Sequence, residues 1–177
     1  MLIEEAGRDS KMGMIKLQDP VGAVFGVFQK DLFGGAQVFN QPISLTFNLL
    51  MTRQPHAAKW FYSKIFGWEP RDREFGGMEF TYFFHGVRGV AGLMAMNERW
   101  PQVVPSHWQV SFSVDDADAL AARAVKLGGK AQPVLASPFG RSVLITDPHG
   151  ATFSLSQQTP EVRAAVQTPE GVLAHLV

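Results

Sequence analysis

Residues able to hold a metal ion or move a proton are present in this chain, but they are scattered. His56, His85, His107, His149 and His175 fall in separate stretches, and none forms a close His-x-x-x-His pair. Cysteine is absent, which removes a thiol nucleophile, thiolate metal ligands and any disulfide framework together. No Gly-rich phosphate loop, G-x-S-x-G elbow or H-E-x-x-H helix occurs. Asp115 and Asp116 form an adjacent carboxylate pair, but they open an alanine-rich helical pattern, where a cap and a macrodipole partner explain them.

What the sequence does offer is strands with one apolar and one hydroxyl-bearing face. In "WQVSFSV", Val110, Phe112 and Val114 alternate with Gln109, Ser111 and Ser113; in "ATFSLSQ", Phe153 and Leu155 alternate with Thr152, Ser154 and Ser156. If helices cover the apolar faces, the other faces present small neutral hydrogen-bonding groups.

The helices that could do so are legible. After Thr52, a candidate cap, "RQPHAAKWFYSKIFG" has Pro55 in its first turn, sets Ala58, Phe61, Tyr62 and Ile65 on one face, and stops at Gly67. "DDADALAARAVKLGG" opens on Asp115 or Asp116, aligns Ala117, Leu120, Ala121, Ala124 and Leu127, and ends at Gly128 and Gly129. Strands read at "ISLTFNLLM", "EFTYFFHG" and "VAGLMAM" surround the first helix, and at "HWQVSFSV", "SVLITD" and "ATFSLSQ" the second. The order is β-α-β-β-β performed twice, an α+β pattern. Trp60 on the first helix and Trp68 at its exit read as core. The tail from Thr159 reads as one short helix, because Thr-Pro-Glu is a good helix entry.

One segment is repeated. "DPVGAVFGVFQ", from Asp19, returns as "DPHGATFSLSQ", from Asp147, with six identities in eleven positions. Asp-Pro-x-Gly is a turn signal, and an apolar run follows each copy. Internal duplication explains this better than convergence. Sixteen basic residues balance sixteen acidic ones, so no excess charge points to nucleic acid or a membrane surface. The N-terminus "MLIEEAGRDSK" does not read as a signal peptide, and the expected setting is the cytoplasm.

With "AAKWFYSKIFGW", "VAGLM", "VSFSVDDADALAARAVKLGG" and "GRSVLITDPHGATFSLSQ" in this order, the chain resembles the vicinal-oxygen-chelate superfamily of glyoxalase, bleomycin-resistance and extradiol-dioxygenase proteins. More narrowly, it looks like the second half of two-module bacterial glyoxalase-like proteins often labelled hydroxylases. That similarity implies paired βαβββ units forming a curved mixed sheet, divided into 1–41 (the terminal strand of a preceding module, with a linker), 42–157 (a glyoxalase-like module) and 158–177 (a tail).

In this family each unit forms half of a cleft, where catalytic members hold a divalent ion with His and Glu. The family's ligand positions, traced from the motifs, fall here on Phe47, Gln109, Ser154 and Met94. A phenyl ring has no lone pair to give, and an amide, a hydroxyl and a thioether are weak substitutes for imidazole or carboxylate. His107, two residues from Gln109, is the remaining candidate ligand. The expectation is therefore a cleft without metal or cofactor, walled by Phe47, Leu49, Met51, Tyr82 and Met94 on one side and by Gln109, Ser111 and Ser154 on the other. Such a cleft suits a small neutral, partly aromatic molecule. The alternatives are a metal-dependent lyase or dioxygenase with displaced ligands, and an interaction module completed by a partner chain.

The orphan copy carries a further expectation. Val24, Phe25, Val27 and Phe28 stand close together, and burying each is worth roughly 1.5–3 kcal/mol. Residues 14–30 are expected to form a strand at a homodimer interface.

Overall fold

In the computed structural model, residues 2–5, 13–28, 36–75, 77–98 and 100–166 are described. Three strands, β1 (Leu2–Glu5), β2 (Met14–Gln18) and β3 (Val24–Phe28), form a small antiparallel sheet of their own. Two β-α-β-β-β units follow. The first comprises β4 (Leu45–Thr52), α1 (Pro55–Phe66), β5 (Glu69–Phe75), β6 (Met78–His85) and β7 (Arg88–Ala95). The second comprises β8 (His107–Ser113), α2 (Ala117–Lys126), the short β9 (Lys130–Ala131) and β10 (Leu135–Ser137), then β11 (Gly140–Thr146) and β12 (Thr152–Gln158). A last helix, α3 (Pro160–Val166), follows; residues 167–177, His175 among them, lie outside the described residues.

The units join through their opening strands. β4 and β8 pair antiparallel, β7 lies parallel on β4, and β12 lies parallel on β8. The resulting order, β10-β11-β12-β8-β4-β7-β6-β5 with β9 on β11, is one curved mixed sheet that does not close into a barrel.

α1 and α2 lie on one side of this sheet, because that is where the apolar faces point. α1 packs Ala58 and Tyr62 against Leu50, Phe83, Ala91 and Leu93. α2 packs Ala117 and Ala121 against Val114, Val143, Ile145 and Leu155. Asp116 caps α2, its carboxyl accepting from the Ala119 N–H at 2.9 Å. Thr52 does not cap α1 as the sequence suggests: the cap position is Gln54, and the hydroxyl of Thr52, two residues earlier, accepts from the Gln54 N–H. Ile65, Leu127 and Trp60 are exposed where the periodicity placed them inward, Trp60 to 64 %. Trp68 does pack in the core, stacked on Tyr62 at 5.6 Å between ring centres.

The repeated segment is a repeat in three dimensions. In each copy the aspartate N–H donates to the alanine carbonyl (Asp19 to Ala23 at 2.9 Å, Asp147 to Ala151 at 2.8 Å). In each, one aspartate carboxyl oxygen accepts two backbone N–H groups, and the glycine takes a φ of 95°. The strands flanking each turn pair in the same register, Gln18 with Val24 and Thr146 with Thr152. The small sheet thus repeats the last hairpin of the second unit.

The two turns differ in where they sit. Asp147 is half-buried, whereas Asp19 is buried and its second carboxyl oxygen accepts from the Tyr62 hydroxyl at 2.8 Å. Trp108 Nε1 donates to the same hydroxyl at 2.9 Å. Val21 and Ala23 enter the α1 core, and Phe25 sets its ring edge-on to Phe61, Tyr62 and Phe66. Asp19→Ala leaves three donors without an acceptor, and Asp147→Ala only two, near water. The first should lower unfolding free energy by roughly 2–4 kcal/mol and the second by about 1 kcal/mol, as read from urea midpoints; equal losses would show that the Asp19–Tyr62 contact contributes nothing.

Candidate functional site

The side of the sheet away from the helices is concave, and pairing register decides what meets there. Phe47 on β4 pairs with Ser111 on β8, which pairs with Ser154 on β12, so these three residues form one row across neighbouring strands. The next row holds Gly92, Leu49 and Gln109. Tyr82 on β6 pairs with Gly92, and Phe80 pairs with Met94. These rows enclose a cavity of about 220 Å³.

One wall is apolar. The Tyr82 ring lies 4.5 Å from Phe80, 6.2 Å from Phe47 and 5.9 Å from Phe139, centre to centre. Gly92 makes this possible: a Cβ there would stand 2.6 Å from Phe47 and 2.8 Å from Phe80. The opposite wall is a set of hydroxyls, Ser111, Ser142, Ser154 and Ser156. At the rim, Thr46 donates to Asn40 at 2.8 Å and accepts from Gln158 at 2.9 Å. Asn40 holds a φ of 58°, a conformation asparagine tolerates better than most residues. Among the described residues none that lines the cavity carries a charge.

The end of the cavity is closed by Phe139 and by Val162 of α3. Arg163 fixes that helix, donating to Asp115 at 2.7 Å and to the Val114 carbonyl at 3.2 Å. Burial pushes the Tyr82 phenol well above its ordinary value, slightly opposed by Arg73. Burial does the same to Tyr62, with the Trp108 hydrogen bond opposing it and Asp19 adding to it.

Of the residues named from sequence, Phe47, Leu49, Tyr82, Met94, Ser111 and Ser154 line the cavity. Gln109 lies behind the lining, where its amide donates to the Ser154 hydroxyl. Met51 is buried and does not line the cavity. His107 lies outside the lining; its Nδ1 donates to the Pro105 carbonyl at 2.8 Å. His149 is exposed in its turn. Ser156, read from alternation on the hydroxyl-bearing face, also lines the cavity; Ser142 and Phe80 were missed although the two-residue period could have found them, Phe80 lying two positions from Tyr82. Phe139, Asn40 and Val162 carry no such signal, because only the folded chain brings them to the cavity.

The family's usual metal does not fit these residues. Phe47, Gln109, Ser154 and Met94 supply one amide, one hydroxyl and one thioether, and the hydroxyl oxygen already accepts from the amide. Among the described residues no group of three or more His, Asp or Glu is close enough to hold an ion.

Residues 44–155 match the family model of the Glyoxalase/Bleomycin resistance protein/Dioxygenase superfamily. The chain belongs to this superfamily. Among curated superfamily relatives, CFP32 of Mycobacterium tuberculosis, named provisionally as a glyoxylase, is 36% identical over 162 residues, covering 90% of this chain and 59% of that protein. The anthracycline biosynthesis protein DnrV of Streptomyces peucetius is 37% identical over 143 residues, covering 80% and 51%. The chain thus spans between half and three-fifths of the length of these relatives. Methylmalonyl-CoA epimerase from Mycobacterium tuberculosis superposes with a TM-score of 0.52 at 17% identity, covering 71% of this chain and 95% of that one. At that identity the likeness shows the glyoxalase-like fold alone.

Both tyrosines are held protonated by burial, so their contribution to stability is fully present below the unfolded phenol value of 10.0 and is lost as pH rises above it. In an alkaline titration, phenolate absorbance should appear only together with loss of the folded circular dichroism signal. Ionisation of a tyrosine near pH 10.0 in the still-folded protein would show that phenol to be solvated instead.

Proposed function

We propose that this chain is a small-molecule binding protein of the superfamily, whose cavity takes a neutral, partly aromatic ligand without a metal ion. The observation that carries this reading is the lining itself: an aromatic wall faces a hydroxyl wall, with no charged group among the described residues between them. Volume limits the ligand. A cavity of roughly 150 Å³ accepts benzene, so about 220 Å³ suits one or two rings. The name of DnrV, which ties that relative to an aromatic polycyclic product, agrees with the aromatic wall; a whole anthracycline exceeds what this cavity encloses.

We further propose that residues 1–41 are the closing strands and linker of a preceding module, and that a second copy of the chain covers the open edge of β3. The matched turns and hairpin registers support the first statement. For the second, Phe25 docks on the chain's own α1, while Val24 and Phe28 on the other face remain 43 % and 44 % exposed. The corresponding edge of β12 receives β8 in parallel, whereas among the described residues no strand pairs with that edge of β3, and an apolar edge invites a strand.

A two-ring phenol, 2-naphthol, should bind the purified protein in equilibrium dialysis. Ser111→Phe should weaken it at least tenfold with the thermal midpoint little changed, because the new ring fills open space and leaves the Gln109–Ser154 bond intact. Absence of binding, or equal binding by the variant, would refute the cavity as the site; near-stoichiometric zinc, nickel, iron or manganese in protein purified without chelator would refute metal independence. For assembly, light scattering should give a dimer, and the double variant Val24→Lys, Phe28→Lys a folded monomer. A monomeric parent protein, or a variant that remains dimeric, would remove β3 from any interface.

A further inference from the structure

The chain has two tyrosines, and their hydroxyls are treated differently. Tyr62, fully buried, has two partners for its hydroxyl, Asp19 and Trp108. Tyr82 is only 5 % exposed, yet no described residue gives its hydroxyl a hydrogen bond. A phenol buried without a partner is destabilising. Phenylalanine would fill the same space among Phe47, Phe80 and Phe139 without that cost.

The oxygen is not sealed away. The side-chain polar atoms both sealed and unpartnered among the described residues belong to Ser63, Ser113 and Gln158, not to Tyr82; Tyr82 lines the cavity. The serine hydroxyls opposite can rotate toward other acceptors, whereas the phenol oxygen is fixed in the plane of a ring held by three others.

We infer that the missing partner of the Tyr82 hydroxyl is a carbonyl oxygen of the ligand, which makes the site selective for quinones and aryl ketones of one or two rings over hydrocarbons of the same shape. Burial keeps the phenol protonated and therefore able to donate. The inference rests on reading the cavity as a small-molecule site, and the two can fail separately.

The test compares 1,4-naphthoquinone with naphthalene, by equilibrium dialysis against the parent protein and Tyr82→Phe. The ratio of the two affinities should fall roughly fivefold to tenfold in the variant, the size expected for one hydrogen bond to a neutral acceptor, while naphthalene binds both proteins alike. An unchanged ratio overturns the assignment of Tyr82 and leaves the cavity reading standing; failure of both probes to bind the parent protein overturns both.

Discussion

The hydroxyl of Tyr62 joins three parts of the chain that are far apart in sequence. It donates to Asp19 in the N-terminal turn and accepts from Trp108 on β8, while the ring it belongs to stands on α1. A carboxyl group inside an apolar core is tolerated only if donors surround it, and Asp19 has three: this hydroxyl and the N–H groups of Val21 and Ala23. The α1 core is thereby completed by residues from outside its own unit. That core fixes Leu50 on β4, and the alternate residues of the same strand, Phe47 and Leu49, are the ones that reach the cavity. Site geometry on one side of the sheet depends on a polar contact on the other.

The same local sequence serves two ends here. Asp-Pro-x-Gly dictates a turn whose backbone hydrogen bonds recur almost atom for atom, but burial is not part of that local instruction. Pro148 and His149 lie at the surface; Val21 and Ala23 lie in a core. Turn chemistry sets conformation, and the neighbouring elements set environment.

Much of the fold was legible because strand period and helix period point the apolar residues of each unit to one side. Phe112, Val114, Phe153 and Leu155 all meet α2 or its surroundings as alternation requires. Val110 shares their face yet is 38 % exposed, because it falls between the α1 cluster that takes Trp108 and the α2 cluster that takes Phe112. Periodicity reports a face, not whether anything covers it. β5 escaped notice for a related reason: "EPRDREF" has almost no apolar residue to alternate, and it is held by polar contacts. Thr81 donates to Asp72 at 2.6 Å and Lys59 at 2.9 Å, and these hold the Asp72 carboxyl below its usual value. Within the site, positions on regular strands were readable from spacing. The residues that close the cavity, Phe139 and Val162, sit on a turn and a short helix whose approach is set by tertiary contacts such as Arg163 with Asp115.

The uncharged lining has a kinetic meaning as well as a chemical one. A cleft ringed by charge draws ligands from a distance, at rates that fall as salt screens the field. This cavity exerts no such pull, and its neutral occupant would feel none. Encounter is left to diffusion and to the release of water from the aromatic wall, so occupancy should be nearly indifferent to ionic strength and follow only how much free ligand its surroundings contain.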